Sequence, residues 1–335
     1  MIRIPAIALL AATSLFAQRS WVVEIDTPED VYAIGDPHAD YARLTGVLRS
    51  AKVVDASGKW TAKKSVLVIT GDTIDKGPEQ VKTISYIRTL QLDAAQVGGR
   101  VVLTLGNHEA EFLADPKGKK TLEFADALQA KGLKPKDVAD CGGDLGKFLC
   151  SLPVAVRVND WFFSHGGYTA GRSIREISEA VAKGFSSQRY QSEQFIGDDS
   201  ILEARLSEKG PGGVPWFLGG DPKGDPAKVL AEYAARLGVH HIVQGHQPGK
   251  VQFPDGVARN KEDLFQRYGL FFLTDGAMSS GIEGSTGTGG AIHITASSAT
   301  AICANGQDTL RLWPAPAGKD TASIHCGPAK PTARQ

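Results

Sequence analysis

The sequence predicts an α/β fold on three observations. Short β-branched runs, VYAI at 31–34, SVLVIT at 65–70 and RVVLTL at 100–105, look like buried strands bounded by glycine or polar turns. Helix-periodic stretches follow the first two. Beyond about residue 150 the runs VAVRV at 154–158, WFFS at 161–164, HHIVQ at 240–244, LFFLT at 270–274 and AIHIT at 291–295 suit a second, partly antiparallel sheet.

The chain starts with Arg3 ahead of an apolar stretch from Ile4 to Ala12 and small residues near Ala17. This is the layout of a secretory signal peptide over 1–17, and the apolar run is shorter than the roughly 20 residues of a membrane span. The expected location is therefore outside the cytoplasm, periplasmic or secreted, with an uncleaved anchor as the rival. An oxidising compartment permits disulfides, and proximity favours Cys141 with Cys150 and Cys303 with Cys326 among the three possible connectivities.

After the first strand, Tyr41, Leu44, Val47 and Leu48 recur at helical spacing; after the second, Val81, Ile84, Ile87 and Leu90 do so from a start near Pro78 and Glu79. Each strand thus exits into a polar loop that feeds a helix, and open α/β sheets bind ligands at those exits. A further helix is expected around 225–237. The glycine- and proline-rich stretch at about 184–224 reads as irregular and functional or mobile, and the chain from 313 to 335 as a poorly ordered tail apart from what Cys326 ties down. One catalytic domain over 18–312 remains.

The chemistry sits at the strand exits. Asp36 and His38 follow the first strand, Asp72 and Asp75 the second, Asn107 and His108 the third, and His165 and His246 later ones. Oxygen and imidazole donors without thiolate suit manganese, iron or zinc in a reactive site. Two such ions about 3.5–4 Å apart can hold a bridging hydroxide and brace an in-line phosphoryl displacement. Gly35, Gly71, Gly106 and Gly245 each precede a candidate ligand, where a sharp turn would need a backbone conformation costly for other residues. With 37 basic and 37 acidic side chains, no global field favours nucleic acid or an anionic membrane.

GDPHAD at 35–40, GDTIDKG at 71–77, GNHE at 106–109, SHGG at 164–167 and GHQ at 245–247 resemble the calcineurin-like metallophosphoesterases. Within them the pattern is nearest the phosphoprotein phosphatase branch and its bacterial Shewanella-like members. The resemblance implies a sandwich of two mixed β-sheets flanked by helices, with two divalent ions, manganese first and iron or zinc as alternatives. It implies that Asp36, His38 and Asp72 bind one ion, and that Asp72 bridges to a second held by Asn107, His165 and His246. His108 becomes the general acid, Asp75 its orienting partner and Glu109 a supporting residue. The implied substrate is a phosphoprotein or a small phosphomonoester.

Two positions depart from that pattern. Lys76 stands where the family has a phosphate-clamping arginine, keeping the charge without the planar fork. Trp216, Phe217, Leu218 and Gly219 stand where Shewanella-like relatives carry another arginine, with Arg205 as the substitute candidate beside Lys76 and Asn107 for substrate phosphate. Trp216 reads equally as core or cleft wall, PKGKK at 116–120 as a solvated loop, and His240 and His241 as one outward and one inward strand residue. The rival functions are cleavage of phosphodiesters or nucleotide pyrophosphates, and metal or phosphate binding without turnover.

Overall fold

A computed structural model describes residues 19–206, 210, 213–316 and 319–327; the expected leader, 1–17, lies outside them. Along the chain, β1 (Val22–Ile25) and β2 (Val31–Ile34) precede α1 (Tyr41–Ser50), β3 (Val66–Ile69), α2 (Gln80–Gln96), β4 (Arg100–Leu103) and α3 (Asn107–Ala114). Helices α4 (Leu122–Ala130), α5 (Pro135–Ala139) and α6 (Gly143–Ser151) lead to β5 (Ala155–Val158) and β6 (Trp161–Ser164). Then come α7 (Ile174–Gln188), α8 (Glu193–Ile196), α9 (Pro226–Leu237) and β7 (His241–Gln244). The remainder is β: β8 (Val251–Gln252), β9 (Ala258–Arg259), β10 (Asp263–Arg267), β11 (Phe271–Leu273), β12 (Gly290–Thr295), β13 (Ser298–Cys303), β14 (Thr309–Trp313) and β15 (Thr321–His325).

Two mixed sheets result. One has the order β14-β13-β12-β2-β3-β4, with β2, β3 and β4 parallel and β12 antiparallel to β2. The other runs β1-β5-β6-β7-β11-β10-β15, with β6, β7 and β11 parallel. Val66 and Val68 of β3 pack with Val156, Phe163, Val243 and Phe272 of the opposite sheet, while Leu67 and Ile69 face the helix-covered side. Because side chains alternate between faces and both faces are buried, the sequence shows an unbroken apolar run.

Local signals start the helices. Asp40 caps α1 by accepting the Arg43 amide at 2.9 Å, and Asp225 caps α9 ahead of Pro226 at its first turn. Helix α7 carries a capping box between Ser173 and Glu176 and runs on to Gln188, so the start of the stretch read as irregular is helical. Trp216 belongs to the core: it is 2% exposed and packs against Tyr168, Tyr233 and Phe271. His241 is buried and stacked on Trp161, and His240 is exposed beside Asp160.

The tail is where sequence and structure part. Thr321–His325 pair with β10 along their whole length, and Cys303 is bonded to Cys326, as Cys141 is to Cys150. The pairing is long-range, and the surrounding proline, glycine and lysine hide the short alternation of β15. No helix among the described residues is long and apolar enough to cross a membrane. Cys303 and Cys326 close a loop of sequence separation 23. Replacing both with alanine is expected to cost about 3 kcal/mol, read from urea unfolding of the two proteins.

Candidate metal centre

The exits of β2, β3, β4, β6 and β7 meet at one edge shared by both sheets. The Leu105 amide donates to the Pro153 carbonyl at 2.7 Å, the His246 amide donates to Asp36 Oδ2 at 2.9 Å, and His165 Nδ1 lies 2.6 Å from the Thr70 carbonyl. These ties fix the two sheets' loops relative to each other.

Asp72 lies at the middle. With His38 and His108 it forms one group of converging ligand atoms, and with His165 and His246 a second. His38 Nε2 is 3.5 Å from Asp72 Oδ2, and His165 Nε2 is 3.3 Å from Oδ1 and 3.0 Å from Asn107 Oδ1. Asp36 falls outside both groups; its Oδ1 is buried without a hydrogen-bond partner among the described residues. Asn107 Nδ2 donates to Glu203 at 3.3 Å.

The electrostatics suit a divalent cation. Burial and the Asp275 charge push Asp36 well above the usual carboxylate range. Burial would push Asp72 up as well, but His165, His108 and His38 pull it well below. Burial opposes a charge on His165, yet Asp72 and Asp36 raise it to about 10. Burial lowers His38 to about 3, and burial with the His165 charge takes His246 well down, so both are neutral imidazoles with a lone pair to give. His38 Nδ1 lies 3.2 Å from the Ile74 carbonyl and His246 Nε2 3.0 Å from that of Glu203; donation there leaves the other ring nitrogen as acceptor. Crowded carboxylates, an orphaned oxygen and neutral imidazoles without thiolate fit divalent cations.

His108 is oriented differently. Its Nδ1 sits 2.9 Å from Asp75 Oδ2, and Asp75 Oδ1 accepts the Phe124 amide at 3.1 Å. Burial disfavours its proton, but Asp72 and the Asp75 bond raise its pKa above the ordinary value. Glu109, wholly buried, accepts from the amides of Gly106, Asp72, Thr73 and Ile74 and from the Thr73 hydroxyl at 2.6–3.3 Å.

The glycines act through close approach more than through their own dihedrals. Of the four before candidate ligands, only Gly71 has a positive φ. A Cβ on Gly106 would stand 2.2 Å from the Asp72 amide and carboxylate, and one on Gly245 2.2 Å from Asp36 Oδ1. Several candidate site residues are themselves left-handed: His38 (φ 41), Asp72 (51), Asp75 (59), Lys76 (55) and His246 (54).

A cleft of about 500 Å³ opens over this edge, lined by Asp75, Lys76, Asn107, His108 and Arg205 and by Lys119 and Lys120 from the PKGKK segment. The two lysines therefore border the site and are more than solvated loop. Arg205 Nε lies 3.1 Å from His246 Nε2, on the side of the ring that faces the Glu203 carbonyl. Sequence reasoning also missed Glu203, in the cleft wall, and Asp275, buried just past β11. The strand-exit rule that found the others would have picked out Asp275 in LTDGA, whereas Glu203 lies in irregular chain and left no such signal.

The model of calcineurin-like phosphoesterases matches residues 30–250. The chain belongs to that family. Among its calcineurin-like relatives, Shewanella-like protein phosphatase 2 of Arabidopsis thaliana is 28% identical over 228 residues, 54% of this chain and 58% of that one. A symmetrical bis(5'-nucleosyl)-tetraphosphatase of Janthinobacterium is 28% identical over 184 residues, 51% of this chain and 59% of its own. The chain thus spans little more than half the length of either. The fold matches a cold-active protein-tyrosine phosphatase of a psychrophilic Shewanella with TM-score 0.66 at 19% identity, over 88% of this chain and 85% of that one.

Two outcomes are expected. In the metal-free protein His165 holds its proton at neutral pH, so cation loading must expel it: affinity rises with pH up to about 10, and calorimetry in buffers of different ionisation enthalpy records proton release. Glu109→Gln, which turns an amide group toward backbone donors, is expected to lose about 2–4 kcal/mol in urea unfolding and to lower bound metal measured by mass spectrometry.

Proposed function

We propose that this calcineurin-like protein hydrolyses phosphomonoesters with the help of two divalent cations. The observation that carries the reading is the Asp75–His108 pair, buried in the cleft wall beside the two ligand groups that share Asp72. Binding of metal or phosphate alone would need no such proton donor.

Asp36, His38 and Asp72 would hold one cation, and Asp72, Asn107, His165 and His246 the other; manganese leads, with iron or zinc as alternatives. Bound there, the cations supply Lewis-acid charge to the phosphoryl oxygens and acidify water at neutral pH. The chain's own residues do the rest. Lys76, Asn107 and Arg205 line the cleft where the phosphate enters, and Lys119 adds a further cation at its mouth. A lysine ammonium attracts phosphate as a point charge, so this clamp selects geometry less sharply than paired arginine forks. His108, kept protonated above the ordinary histidine range, donates to the departing ester oxygen, and Asp75 holds the ring for that transfer.

The substrate class is a phosphorylated serine, threonine or tyrosine side chain or a small phosphomonoester, in keeping with the phosphatase relatives. Cleavage of dinucleoside polyphosphates is the second reading, favoured by the Janthinobacterium relative. Initial rates on an aryl phosphomonoester, its bis ester and diadenosine tetraphosphate, with and without manganese, separate the two. Faster metal-dependent cleavage of the monoester is expected; the reverse order would overturn the first reading. The two disulfides and the apolar leader support export to a periplasm or the medium.

Asp75→Asn removes a charge that holds the His108 proton. Turnover is expected to fall about 10²–10⁴-fold with little change in metal content. Because the acid form is the active one, the alkaline limb of the rate profile should also move to lower pH. An unmoved limb would count against His108 as the donor.

A further inference from the structure

Beside the catalytic cleft is a second cavity of about 360 Å³, and Asp198 lines both. Its wall holds Glu193, Asp198 and Asp199, each exposed and none with an ion-pair partner among the described residues. The Glu193 carboxylate reaches the floor at Gly197, where an added Cβ would meet Oε2 at 2.5 Å. Arg172 is the opposing charge in the wall, and its Nη1 donates to Gln194 Oε1 at 3.0 Å. Thr169 also belongs to the wall: it is 2% exposed, and its hydroxyl has no hydrogen-bond partner among the described residues.

A partly enclosed space of this size, with three carboxylates against one guanidinium and an unpaired buried hydroxyl, is built to take a cationic group with hydrogen-bond donors. It repels phosphate. The neighbouring cleft differs: it brings Lys76, Lys119, Lys120 and Arg205 among the carboxylates of Asp75, Glu123, Asp198 and Glu203, and so offers cations to a phosphate. A substrate carrying a phosphate and a nearby ammonium or guanidinium would be held in one orientation, since reversing it sets like charges together.

We infer that this cavity is a substrate subsite for a lysine or arginine side chain lying close in sequence to the phosphorylated residue of a protein substrate. The inference rests on the phosphatase reading above. It assigns selectivity to Glu193 and Asp199, outside the catalytic cleft.

The test uses the full mature chain loaded with manganese, an aryl phosphate, and phosphopeptides in which lysine is walked along each flank of the phosphorylated residue, against alanine and glutamate controls. At one flank position lysine is expected to raise kcat/KM roughly three- to tenfold over alanine, mainly through KM. Asp199→Asn with Glu193→Gln should abolish that gain, and Asp199→Lys should turn the preference toward glutamate, both leaving aryl phosphate kinetics unchanged. Aryl phosphate turnover with no lysine preference at any position would overturn the subsite and leave the phosphatase reading standing. No turnover of any phosphomonoester would bring down both.

Discussion

The active edge depends on one buried carboxylate. Glu109 stands at the first turn of α3 and gathers the amides of Gly106, Asp72, Thr73 and Ile74, so the loop after β3 is hung from the helix after β4. A wholly buried anion is costly unless charge-assisted hydrogen bonds surround it, and here the donors come from the loop that must be held. The same loop presents Asp72 to both ligand groups and Asp75 to His108. One side chain thereby sets the register between the two groups around Asp72 and the Asp75–His108 pair. The clearance of Gly106 belongs to this arrangement, because any side chain there would displace either Asp72 or Glu109.

Holding ligands this way carries strain. His38, Asp72, Asp75, Lys76 and His246 all adopt left-handed backbone, which costs an L-residue on the order of 1 kcal/mol or more each. The conformation turns successive side chains inward from loops too short to curve otherwise. What offsets it is the apolar packing beneath, where Val66, Val68, Phe163, Val243 and Phe272 join the two sheets. The sandwich is the stable part, and the edge is the part that it strains.

This division explains what was legible in the sequence. Strands β2, β3 and β4 announce themselves as apolar runs because both faces are buried, and their exits carry short-range motifs whose residues cannot be exchanged without losing a ligand or a tight contact. The role of Glu109 was visible only as part of GNHE, since its partners in the loop after β3 lie more than thirty positions away. Strand β15 was hidden for the same reason: pairing with β10 and the bond to Cys303 are long-range. Lys119 and Lys120 read as a solvated run because nothing local marks that the turn after α3 returns to the cleft. The sequence reason for the glycines holds at Gly71, while at Gly35, Gly106 and Gly245 the structure replaces left-handed dihedrals with close approach.

A second buried charge completes the edge from behind. Arg259 is fully buried, yet its guanidinium bonds no carboxylate: it donates to the carbonyls of Gln247, Gly249, Asp263 and Asp275 at 2.5–2.9 Å. It thus ties the loop that carries His246 to the exit of β11. Burial lowers its pKa to about 10, while the charges of Asp275, Asp263, Glu262 and Asp36 act against that drop. A buried cation satisfied only by carbonyls is costly unless anions act on it, and Asp275, Asp263, Glu262 and Asp36 do so. The carboxylates gathered at this edge therefore also make Arg259 tolerable in the core, and Arg259 in turn relieves Asp275 of part of its burial cost. Scaffold and site are electrostatically one unit, so a change to either charge set should be felt in the other.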